Sequence, residues 1–217
     1  LLGFKHNHRT GEDVESGDIK PENWIPNEKL ADPKVRQAIA WAVNREGLVG
    51  EGHGQGLLHG HGQLINSPIA VQFPAYDPDA GIQYEYDPEK AEEMLDELGY
   101  VKGDDGFRVD PDGNEWVLNM HYPLGNPLRE RSAPLIASDL EKVGIKVNLE
   151  QPMEMSVYVP DLTANNDWDL YLIGWNLGSG DADPLGLWGI KDAYNFGRWN
   201  NAESDKLIGS ASVRERV

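Results

Sequence analysis

A layered domain that mixes strands and helices, of the α/β or α+β class, is predicted for these 217 residues. Three observations predict it. Short apolar runs alternate along the chain with longer stretches whose apolar residues recur at helical spacing. Two of those stretches open on Asp-Pro, at Asp32-Pro33 and Asp87-Pro88, which sets a capping side chain before a proline suited to a first helical turn. Hydrophobic residues make up 39% of the chain and tryptophan occurs seven times, enough to build a sizeable core. Length alone admits one large domain or a small pair.

The elements follow in order. Residues 1–4, Leu-Leu-Gly-Phe, read as a short strand cut from something longer. Residues 9–29 are polar, punctuated by Gly11, Gly17, Pro21 and Pro26, and read as a loop. Asp32-Pro33 opens a helix with Val35, Ala38, Ile39, Ala42 and Val43 on one face, and a second short helix follows Arg45. Residues 50–80 are rich in glycine and proline and lack periodicity, which in a compact domain suggests a role beyond connection. A further helix runs from Asp87-Pro88 to Gly99, with Ala91, Met94, Leu95 and Leu98 inward. Phe107 to Asp110 and Trp116 to Tyr122, joined through Pro111-Asp112-Gly113-Asn114, read as a hairpin.

Residues 128–143 read as a helix with Leu135, Ile136, Leu140 and Val143 inward and Pro134 near its first turn or kinking it. Gly144 ends that helix, and Ile145 to Leu149 forms a strand. A helix over 156–165, a strand over 169–173 and a last helix from Ser204 to Ser210 complete the pattern. No internal repeat or low-complexity tract interrupts it.

Composition removes several function classes. A net charge of −18 without any basic run argues against a nucleic-acid backbone as partner, and equally against adhesion to anionic lipid. Such a field attracts cationic ligand groups, although most of it serves solubility. With no cysteine, disulfides, thiolate catalysis and Cys-based zinc sites are excluded. No apolar run reaches the roughly 18 residues that span a bilayer. The nucleophile-elbow, zinc-hydrolase, phosphate-loop and dinucleotide-loop motifs are all missing.

The stretch Leu170 to Ile173, then Gly174-Trp175, then a loop reaching Asp181-Ala182-Asp183-Pro184, is the strongest pointer to function. A strand that empties into an irregular loop with an indole and carboxylates is a common way to build a ligand wall. A second aromatic group, Trp188, Tyr194, Phe196 and Trp199, reads mainly as core, with Asn195 and Arg198 as polar exceptions. Asn195 could face a cleft. Arg198 is read either as a surface ion-pair partner or as a group that meets a ligand carboxylate. His53, His59 and His61 share the glycine-rich loop and could bind a transition metal, but solvated loop histidines are the commoner case.

Four segments together carry a family resemblance. They are Asp32-Pro33-Lys34-Val35-Arg36-Gln37-Ala38-Ile39 through Ala42-Val43-Asn44-Arg45-Glu46; Tyr86-Asp87-Pro88-Glu89-Lys90-Ala91 to Leu98-Gly99-Tyr100; Leu140 with Gly144-Ile145-Lys146-Val147; and Gly174-Trp175 to Asp183-Pro184, with Asn195-Phe196, Asn200 and Ser204-Asp205-Lys206-Leu207. In this order the chain resembles the C-terminal lobe of the extracytoplasmic solute-binding proteins of ABC importers, family 5, the oligopeptide, dipeptide and nickel cluster.

The resemblance implies a periplasmic-binding-protein-like type II lobe: a central mixed sheet with flanking helices, one domain over 1–217, with an N-terminal lobe before Leu1 and a C-terminal return after Val217. It implies capture of an oligopeptide between two lobes and delivery to ABC permease subunits, by a monomer that makes and breaks no bond. The place of work would be the periplasm or, through a lipid anchor, the cell surface. No cofactor and no resident metal are expected.

A nickel-type metal-chelate or oligosaccharide binder of the same fold is the alternative, and a secreted hydrolase the alternative of another class. In many members an aspartate shortly after Gly-Trp binds the ligand's α-ammonium, because a buried cation needs a paired carboxylate. Gly178 occupies that spacing here and the loop is longer, so Asp181 is the expected anchor and Asp183 a ligand contact or turn cap. Trp175 is expected to pack on the ligand.

Overall fold

The computed structural model describes residues 1–10, 19–50, 56–67, 69, 71–176 and 186–214. Six strands and six helices are named here in chain order. They are β1 (Leu2–Phe4), β2 (Asn7–His8), β3 (Ile25–Pro26), α1 (Pro33–Ala42), α2 (Arg45–Val49), α3 (Pro88–Glu97), β4 (Val117–His121), α4 (Pro127–Lys142), β5 (Lys146–Leu149), α5 (Met155–Ala164), β6 (Leu170–Leu172) and α6 (Ala202–Arg214). The main sheet has the order β1-β6-β4-β5, with β4 parallel to both neighbours and β1 antiparallel to β6. The alternation of elements predicts this layering of strands and helices, and the family resemblance implies the central mixed sheet.

Helix starts follow the capping chemistry. Asp32 accepts a hydrogen bond from Lys34 N at 2.7 Å, and Asp87 accepts one from Lys90 N at 2.9 Å, each directly before a proline. Asn126 caps α4 in the same way, through Arg129 N at 3.1 Å, ahead of Pro127. These side chains satisfy amide groups that a first turn leaves without partners.

Two cores lie on opposite faces of the sheet. Leu118 and Met120 of β4 and Leu170 and Leu172 of β6 face a large core with Val35, Ala38 and Ile39 of α1, Leu95 of α3 and Ile136 and Leu140 of α4. On the other face, Tyr171, Ile173 and Trp168 pack with Tyr158 and Leu162 of α5 and with Phe196. Burial on both faces explains why β6 is apolar at every position instead of alternating. Gly3 stands opposite Tyr171, whose ring occupies the space where a side chain at position 3 would sit.

Three sequence expectations are corrected. The second arm of the expected hairpin is the central strand β4, held in parallel by β5 and β6, and antiparallel pairing with the first arm shrinks to a bridge at Val109 and Glu115. The first arm is held elsewhere: buried Arg108 donates to Val143 O, Tyr100 O and Asp96. Leu135 is exposed (46%), because the inward stripe of α4 runs through Ala133, Ile136, Ala137 and Leu140 and leaves position 135 off that face. The polar stretch 9–29 also contributes β3, paired antiparallel with β2.

Candidate ligand-binding site

Because β4, β5 and β6 are parallel, their C-terminal ends share one edge of the sheet. Open α/β sheets bind ligands at this edge, where loops diverge and helix N-termini converge. Here the edge gathers Tyr122 to Gly125 after β4, the first turn of α4, Glu150 to Met153 after β5, and Gly174-Trp175 after β6. Leu1 joins it, since β1 runs the other way: Ile173 N donates to Leu1 O at 3.1 Å. Leu124 N donates to Met153 O at 2.7 Å and Met153 N to Tyr122 O at 3.2 Å, which ties the β4 and β5 exits together. Leu124, Leu128 and Met155 leave apolar surface exposed around this edge.

Trp175 stands at the mouth of β6, half-buried. Its ring stacks on Phe196 with centroids 6.0 Å apart and planes 18° apart, and it meets Tyr194 at 5.2 Å. Phe196 is buried and meets Tyr171 edge-on at 6.0 Å, while Tyr194 is exposed. The indole is thus braced from the core and bordered by an open aromatic ring, a rigid apolar wall suited to a ligand backbone or side chain. Gly174 beside it admits the Arg129 guanidinium, which a side chain at 174 would overlap. Arg129 played no part in the sequence reading. Its only signal there is a cation in the first turn of a helix that follows a strand end, where the helix dipole disfavours positive charge.

The other expected site residues separate. Asp181 and Asp183 lie outside the described residues, as does His53. Asn195 belongs to the scaffold: its Nδ2 donates to Gly189 O, Ile190 O and Trp199 O at 3.2, 3.3 and 2.9 Å, and its Oδ1 accepts from Trp199 N at 2.9 Å. Arg198 lies in the interior and not at the surface. It is 3% exposed, and its guanidinium donates to Phe196 O, to Leu162 O at 3.1 Å and to Thr163 O.

Arg198 is one of three cations at the C-terminal end of α5. Arg9 Nη1 donates to Thr163 O at 3.0 Å and Lys5 Nζ to Asn165 O at 2.7 Å. The last carbonyls of a helix lack intrahelical partners and sit at its negative pole, so cations satisfy both needs. Lys5 is fully buried, with its amine 3.9 Å from the Trp168 ring centre. Burial first, then the Arg198 charge, bring its pKa down to about 7, against the opposing pull of Asp169, Asp167 and Asp161. His6 is drawn down to about 4, by burial and then by Arg36. Asp169 locks the loop to the sheet, accepting from Asn27 Nδ2 at 3.0 Å, Lys29 Nζ at 2.9 Å and Asn119 N at 2.9 Å.

Among the described residues, the group that brings metal-ligand atoms together is His121, Asp161 and Asp167, whose atoms lie within 4.8 Å of one another. The loop histidines His59 and His61 are not part of it. His121 Nδ1 is 2.8 Å from Asp161 Oδ2, a buried pair that pins α5 to β4.

The model of the bacterial extracellular solute-binding proteins, family 5 Middle, matches residues 2–195. The chain belongs to this family. The family 5 chain is 32% identical over 197 residues to the oligopeptide-binding protein AppA of Bacillus subtilis, a match that covers 88% of this chain and 35% of that protein. The solved structure of AppA from Bacillus subtilis in complex with a nonapeptide superposes with a TM-score of 0.72 at 27% identity, covering 97% of this chain and 40% of that one. NikZ from Campylobacter jejuni, solved in complex with Ni(L-His), superposes with a TM-score of 0.73 at 28% identity, covering 85% and 36%. The family 5 chain spans about a third of the length of the curated relatives it matches.

Proposed function

We propose that this chain is one lobe of the substrate-binding component of an ABC importer. In this reading it captures oligopeptides outside the cytoplasmic membrane and delivers them to a permease. The observation that carries it is the edge shared by the parallel strand ends, walled by Trp175 braced on Phe196, in a chain whose family is one of solute-binding proteins. A second lobe of the same polypeptide supplies the facing wall, and ligand bridging the two stabilises the closed form. Trp175 packs on the ligand, Asp181 pairs with its α-ammonium, and Asp183 is a further ligand contact or a turn cap. The protein acts as a monomer, in the periplasm or lipid-anchored at the cell surface, and returns its cargo chemically unchanged. Asn195 and Arg198 are left out of the contact set because their polar atoms serve the scaffold.

Mass spectrometry of small molecules released on denaturing the freshly purified whole native protein tests the reading. Peptides are the expected result. A nickel chelate in their place would favour the second reading, which the similarity to a Ni(L-His)-bound structure keeps in view. Cleaved products formed on incubation would indicate a hydrolase. The Asp181→Asn variant is expected to lose about 10-fold or more in affinity for peptides with a free amino terminus, and little for N-acetylated ones. In this reading the 217-residue chain alone is expected to bind peptide far more weakly than the whole protein, because the facing lobe supplies the other wall.

A further inference from the structure

We propose that Arg129 is a specificity-determining residue that binds a carboxylate of the ligand; the assignment rests on the solute-binding reading above and names the chemistry of one of its contacts. Arg129 lies in the first turn of α4, after Asn126 and Pro127. Three neighbours locate its guanidinium. It lies against Gly174, where any side chain would collide with it. Its charge reaches the amino end of Leu1 and the hydroxyl of Tyr158, which donates to His121 O and Leu172 O at the ends of β4 and β6. The cation is therefore stationed over the strand-end edge, beside Trp175.

No hydrogen bond or ion pair of that guanidinium is found among the described residues, although it is half-buried; only its backbone amide is engaged, with Asn126. Exposed cations such as Lys34, Arg131 and Lys191 also stand in solvent, but the other buried or half-buried arginines among the described residues, Arg9, Arg36, Arg45, Arg108 and Arg198, all donate to backbone carbonyls or a carboxylate. The nearest acid in sequence, Glu130, accepts from Gly125 N at 2.8 Å and braces the loop before α4. Lys29, Lys102, Arg108, Lys142 and Lys146 all have carboxylate partners.

A guanidinium has five donors and cannot deprotonate at any working pH. Partial burial without a partner disfavours it, and so does its place in a first helical turn. Both penalties turn into affinity when a carboxylate docks, because planar Arg and carboxylate meet through two parallel charge-assisted hydrogen bonds. Gly174 is the complementary feature: without a side chain it leaves the space at the β6 exit that the guanidinium occupies.

Two sources supply the carboxylate, the peptide's C-terminus or an acidic side chain, and the test separates them. Random tripeptide-to-pentapeptide mixtures would be prepared as free acids and as C-terminal amides, each with and without Asp and Glu. Binding to the whole native protein would be measured by competition and mass spectrometry for wild type, Arg129→Gln and Arg129→Lys. Wild type is expected to prefer the carboxylate-bearing member of one pair by about 10- to 100-fold. Arg129→Gln should erase that preference without weakening binding of amides lacking Asp and Glu by a comparable factor, and its melting temperature should not fall, since the substitution removes an unpartnered charge from a first helical turn. Arg129→Lys should restore part of it.

Loss of the preference in the C-terminal pair assigns the terminus, and loss in the Asp/Glu pair assigns the side chain. An unchanged preference in Arg129→Gln would overturn the assignment, as would an equal loss for free acids and amides, and so would a wild type indifferent to carboxylates. Failure of wild type to bind any mixture would instead strike the peptide reading itself.

Discussion

Gly3 and Lys5, two residues apart on β1 and just beyond it, illustrate how single positions carry weight here. Adding a methyl group at Gly3 places it inside the Tyr171 ring, the cross-strand partner. Gly3→Ala is expected to destabilise the fold by about 1–3 kcal/mol, read as a lower urea midpoint, and the loss should shrink when Tyr171 is also replaced by Leu. Lys5 has a pKa of about 7 in the folded protein against 10.5 unfolded. Between these values the unfolded chain binds more protons, so stability rises with pH across that window and is lowest below about 7, where the buried amine is charged. Urea midpoints at pH 6.5 and 9 check this, and Lys5→Met should flatten the difference. His6, at about 4 folded against 6.5 unfolded, adds a rise of the same sign between those two values.

Among the elements, α5 depends most on residues far away in sequence. Its C-terminal carbonyls take hydrogen bonds from Lys5, Arg9 and Arg198, contributed by the two ends of the chain. Arg198→Met leaves buried carbonyls without a donor and is expected to lower stability by about 1–3 kcal/mol, measured by chemical denaturation. The peptide affinity of the folded fraction should not change, which separates this scaffold role from ligand contact. Helix α3 depends on a local device instead. Asp87→Ala removes its cap and should cost about 1 kcal/mol, with the melt shifted and α1 still packed against Lys90 through Trp41, 3.5 Å from the amine.

At the scale of the whole molecule, the net charge of −18 acts as a field. Self-repulsion of that size destabilises the compact state and is screened by salt, so the melting temperature is expected to rise between about 20 and 500 mM NaCl. The same field surrounds a binding edge whose named cation is Arg129. Long-range attraction then favours cationic peptides on approach, and the local guanidinium orients a carboxylate on arrival. Association rates for Lys- and Arg-rich peptides should fall as salt rises, which stopped-flow fluorescence of the tryptophans would follow.

What the amino-acid order determined by itself is local: which stretches become helices, where Asp32 and Asp87 start two of them, and that β6 runs into Gly174 and Trp175. Capping, periodicity and glycine punctuation act within a few residues, so they are visible in one dimension. Only the tertiary structure decided that Val117 to His121 is a central parallel strand and not a hairpin arm, that Arg198 serves α5, and that Arg129 lies over Gly174. Each of these depends on partners between 29 and 50 residues away, and pairings at that distance leave no periodic trace. A buried polar group takes whichever partner folding brings within reach, and that partner is set by the packing of layers rather than by neighbours in the chain.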